Sequence, residues 1–154
     1  MCLVLYLGTE AEPPLVAPQD FSLIDADDPA WPSKVIPFSV EELTPHNEVV
    51  TKHFTTPFVR YSGSYEGCGC GFNSCRVPEW EEEPDELDHG DRAGRRSREL
   101  LRHYVEINRV SELYACWSGD EAEHPTAHIE IKPGQITDWS FEFPERGMLR
   151  IDWG

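Results

Sequence analysis

One stretch of this chain keeps a helical period throughout, and it limits what the other residues can form. Over about 93–109, Leu100, Leu101, Tyr104, Val105 and Asn108 recur at the steps of three and four that share one helix face. Elsewhere 13 prolines cut the chain into short extended pieces. Those pieces carry strand signals: an apolar run at 3–7, further candidates at 21–24, 58–61 and 112–117, and alternation at 128–132, 139–143 and 148–153. Pro37 confines 35–38 to a sheet edge, because proline cannot donate to a ladder. A lone helix with one apolar stripe must bury it on a sheet, and alternating strands imply antiparallel pairing with one solvated face. The expected class is α+β: a mainly antiparallel sheet, ending in a β meander, with one long amphipathic helix (about 93–109) on one face. A short helix is expected near 45–54, where Thr44 and Pro45 supply an N-cap and a first-position proline.

A chain of 154 residues buries a sizeable core without help from metals or disulfides. It reads as a single globular domain over 1–154, with a mobile acidic loop at about 79–91. That loop holds eight carboxylates and no lysine or arginine, and five arginines (92, 95, 96, 98 and 102) follow it at once. Arg95, Arg96 and Arg98 are a candidate anion site, although neutralisation by the neighbouring carboxylates is the simpler account. The formal charge of −16 disfavours nucleic acid and anionic membranes as partners, since both reward lysine and arginine. It suits a basic protein partner, or simple solubility. No apolar run is long enough to span a bilayer, and the start lacks the basic region of an export signal. The expected compartment is a reducing cytoplasm, where five cysteines favour free thiols or metal ligation over disulfides.

Several reactions lack their residues. There is no Walker A loop, no H-E-x-x-H and no G-x-S-x-G pentapeptide. Asp25, Asp27 and Asp28 do not begin an EF-hand, because Ala30 and Ile36 stand where glycine and glutamate are required.

The segment that packing explains least is Gly67-Cys68-Gly69-Cys70-Gly71-Phe72-Asn73-Ser74-Cys75. Three readings compete there. Cys68, Cys70 and Cys75 can ligate zinc, with Cys116, Cys2, His53 or His128 completing a tetrahedral set. The C-x-C-x4-C spacing is similar to the zinc-binding tail of SET-domain methyltransferases over these eight residues and nowhere else, and that resemblance implies zinc. Alternatively, Cys68 or Cys70 acts as a nucleophile or redox centre with His53 or His103 as base. In the third reading the segment is a buried strand, with Cys68, Cys70 and Phe72 on one face and glycines on the other. The resulting expectation is a non-enzymatic binding or interaction protein whose cysteine-rich loop holds a structural zinc. The alternative is a thiol-dependent enzyme or redox protein.

Overall fold

The structure, a computed structural model, describes residues 2–18, 37–73 and 89–154, and as far as residue 92 it describes only the helix backbone. Six strands form one sheet: β1 (Leu3–Thr9), β2 (Ser39–Glu41), β3 (Phe58–Gly63), β4 (Glu112–Trp117), β5 (Ala127–Ile131) and β6 (Gly147–Ile151). Their order is β2-β3-β1-β4-β6-β5, antiparallel throughout except for β5 and β6. One helix, α1 (His89–Asn108), lies against the sheet, so the class is α+β as the helical period and the strand patterns require. No helix among the described residues is long and apolar enough to cross a membrane.

β1 is central and buried along its whole length, which is why it reads as a continuous apolar run instead of an alternation. Leu3, Leu5 and Leu7 face α1 and share a core with Leu101, Tyr104 and Val105 of the predicted stripe. The even-numbered residues point the other way, where Val4 and Tyr6 join Tyr114, Cys116 and Met148. This second face is not solvated at its centre, because Val50 and Phe54 cover it. Val50 belongs to a 3-10 helix, Glu48–His53, in place of the longer α-helix expected near 45–54. The helix starts at Glu48 with Asn47 before it, so Thr44 and Pro45 do not take the N-cap and first positions predicted for them; the Asn47 side chain instead accepts the Thr44 N–H at 2.7 Å.

Two expectations for the last third are corrected. The segment ends in a parallel β5–β6 pair, Ile129 opposite Leu149, with β6 inserted between β4 and β5; there is no meander. A parallel pair needs a crossover, and residues 132–146 provide it through a 3-10 helix, Pro133–Thr137, packed on α1. Residues 139–143 form no strand, since side chains take up their backbone groups. Arg98, buried in the helix face, donates to the carbonyls of Phe72, Asp138 and Phe141. Asn73 accepts from the Phe143 N–H at 2.9 Å and donates to its carbonyl. The strand expected at 21–24, the aspartates at 25–28, residues 35 and 36, residues 79–88 of the acidic loop, and Cys75 lie outside the described residues.

Candidate metal centre

β3 pairs with β1 only as far as Leu5, so Leu3 and Val4 have no strand beside them on that edge. The cysteine segment fills the vacancy. After Gly63 the chain reverses through a turn in which Gly67 takes a φ of 81°, a left-handed value that disfavours side chains. Ser64, fully buried, holds the turn shut: its N–H donates to the Cys68 carbonyl, and its hydroxyl accepts from the Gly71 N–H. The segment then forms a 3-10 helix, Gly69–Asn73, and not the strand of the packing reading. A Cβ at Gly69 would lie 3.1 Å from the Leu3 carbonyl oxygen and 3.2 Å from the Leu5 nitrogen, so the backbones touch where glycine stands. In a 3-10 turn the glycines and cysteines no longer alternate between two faces, and the two thiols can converge.

They converge on a third. The sulfurs of Cys2, Cys68 and Cys70 all lie within 4.8 Å of one another, the one such group among the described residues. Cys2 is exposed, while Cys68 and Cys70 are half-buried. Zinc–sulfur bonds of about 2.3 Å set tetrahedral sulfurs about 3.8 Å apart, so closing on an ion needs shifts of about 1 Å or less. Backbone amides already point at the sulfurs. The Leu3 N–H donates to Cys70 Sγ at 3.2 Å, and the Cys70 N–H is directed at Cys68. Such bonds favour the thiolate that a metal requires.

The opposite tendency wins at Cys68. Burial pushes its thiol up to about 12, and the adjoining Cys70 and Cys2 sulfurs act in the same direction. Tyr61, whose hydroxyl donates to the Gly67 carbonyl, is raised too, first by burial and then by Cys68. Positive charge placed among the sulfurs would work against the burial that raises Cys68.

The other predicted residues lie elsewhere. Cys116, offered as a fourth ligand, is buried on the second face of the sheet, outside the cluster, and its thiol is pushed up to about 12 by burial and then by Glu121. His53 is on that face also, its ring 5.1 Å from Tyr114 and 5.9 Å from His124, with Nε2 2.8 Å from the Glu121 carbonyl. Burial lowers its pKa. His128 lies on the edge strand β5, and His103 is exposed on α1. Among the described residues, His53, His103, His128 and Cys116 therefore all lie outside the thiol cluster. The three predicted arginines meet different surroundings. Arg98 is buried on carbonyls, Arg96 pairs with Glu99 at 3.3 Å, and Arg95 is half-buried.

The sequence named Cys2 only as one of four completing ligands, and nothing in its neighbours marked it as central. It also gave no sign of the network on the second face. There the Tyr6 hydroxyl donates to Glu121 Oε1 at 3.0 Å across 115 positions, and Glu121 Oε2 accepts the Gly119 N–H at 2.8 Å. Comparison with protein-family models, with curated proteins and with solved structures finds no match for this chain.

Proposed function

We propose that this is a non-enzymatic binding protein in which Cys2, Cys68 and Cys70 hold a structural zinc ion. The supporting observation is the mutual approach of three sulfurs, within 4.8 Å, on a glycine-bound turn whose amides point at two of them. An all-sulfur donor set favours soft or borderline cations over magnesium or calcium, and zinc is the borderline ion that needs no redox chemistry. The ion would staple the cysteine turn to the first residues of β1. A reducing compartment would keep the thiols available for it. With the metal serving structure, the charge of −16 is free to address a basic partner.

The alternative of a thiol-dependent enzyme has less support. A nucleophilic cysteine needs a lowered pKa and a nearby base, whereas Cys68 is raised and His53 packs on Tyr114 and His124, outside the thiol cluster. The test is zinc content in protein purified without added metal, combined with counting of reactive thiols before and after chelation. Zinc near one per chain, with the Cys2, Cys68 and Cys70 thiols becoming reactive only after chelation, supports the proposal. Zinc near zero with those thiols already reactive overturns it.

A further inference from the structure

A groove of about 470 Å³ opens where the end of α1 passes the chain leaving β1, away from the thiol cluster. Its floor and walls combine apolar surface with carboxylates: Ile107 and Trp153 with Glu10 and Glu12. Ile107 is 65% exposed, the most open of the large apolar side chains among the described residues. It follows the buried stripe of α1 yet points out of the core, so core packing does not explain it.

The charges are arranged unevenly. Arg109, just past the helix end, adopts a φ of 52° and lays its guanidinium over Trp153 at 4.1 Å. That cation is offset where it stands, by the ring face and by the carbonyls of the helix C-terminus. Glu12 is exposed and 3.6 Å from Arg60, and Glu10 pairs with no cation among the described residues. The field of the whole chain reinforces these carboxylates, at −16 overall. A volume in the range of about 300–1,000 Å³ admits a few side chains.

We infer that this groove docks a basic peptide segment of a partner protein, its lysine or arginine facing Glu10 and Glu12 and an adjacent apolar side chain seated on Ile107 and Trp153. The inference rests on the reading of the chain as a binding protein but not on the metal. Long cationic side chains fit such a place well, because their hydrocarbon stems cover apolar surface while the charged head stays at the rim.

The test is titration of the isotope-labelled, zinc-loaded protein with a blocked peptide alternating leucine and lysine, followed by amide and indole chemical shifts. An alternating leucine–glutamate peptide serves as control. Shifts centred on Ile107, Arg109, Ser111 and the Trp153 indole are expected with the lysine peptide alone. Ile107→Ser should weaken binding about tenfold, and Glu10→Gln about threefold with the larger loss at low salt. Both variants should keep their zinc, so loss of peptide binding with zinc retained is specific to the groove. Shifts scattered over the acidic surface, binding unchanged in both variants, or the same shifts on raising protein concentration without peptide overturn the inference. A protein that lacks zinc but still binds the peptide in the groove breaks the metal proposal and leaves this one standing.

Discussion

The two ends of buried cysteine chemistry in this protein differ in how their polar atoms are used. Cys68 and Cys116 both have thiols pushed up to about 12, and for both the first cause is burial. Around Cys116 the polar groups have partners inside the protein. Tyr6 and Gly119 take the two oxygens of Glu121, His53 takes its carbonyl, and the Tyr114 hydroxyl donates to the Glu123 carbonyl at 3.1 Å. Around Cys68 the sulfurs face one another, and the groups directed at them are the backbone amides of Leu3 and Cys70. A titratable cluster whose bonds close on themselves is a device for fixing a core. One whose donors converge on a shared point could hold an ion.

Substitutions at the two clusters should therefore separate. The largest effect is expected from Cys70→Ser, which removes one of three thiolates from an ion that would contribute several kcal/mol per ligand. Zinc affinity in a competition titration should fall by at least about a hundredfold. Cys116→Ser should leave it unchanged, and a parallel loss there would erase the distinction between the clusters. Next comes Gly69→Ala, where the added Cβ meets the backbone of Leu3 and Leu5 instead of a movable side chain. A stability loss of up to about 3 kcal/mol in urea unfolding is expected, together with weakened zinc binding, because the turn and β1 must separate. Tyr6→Phe strands Glu121 Oε1 in the second cluster and should cost about 1–2 kcal/mol with zinc content intact.

The smallest effect is a pH dependence at His53. Its folded pKa lies below the ordinary value of 6.5, chiefly through burial, so the unfolded chain binds the proton first as pH falls. The stability linked to neutral His53 is thus present above 6.5 and is lost as pH drops below that value, toward the folded pKa. His53→Gln should flatten the fall in Tm over that range. A slope unchanged by the substitution would place the titration at another group.

The parts of the structure that sequence patterns revealed are those decided by neighbours along the chain. The α1 stripe through Leu101, Tyr104 and Val105 faces the core as its period requires, and β4 occupies the span its pattern marked. The misreadings arose where distant groups intervened. Residues 139–143 alternate like a strand, but Arg98 and Asn73, more than 40 and about 70 positions away, take their backbone groups. The β6 strand inserts beside β4 because a crossover on α1 permits it, and no local pattern encodes that order. At the thiol cluster the glycine–cysteine alternation mimicked a strand while serving a 3-10 turn against β1. Cys2 entered through the geometry of β1's unpaired edge, 66 positions before Cys68 in the chain.

The most direct measurement is zinc-edge X-ray absorption on the protein as purified. A centre built on Cys2, Cys68 and Cys70 gives a shell of at least three sulfurs at about 2.3 Å. A fourth sulfur would bring in Cys75, which the C-x-C-x4-C spacing nominates. The Cys70→Ser variant should lose one sulfur from that shell, or the zinc altogether. A first shell of nitrogen and oxygen alone, or one that Cys70→Ser leaves untouched, would contradict the proposed centre.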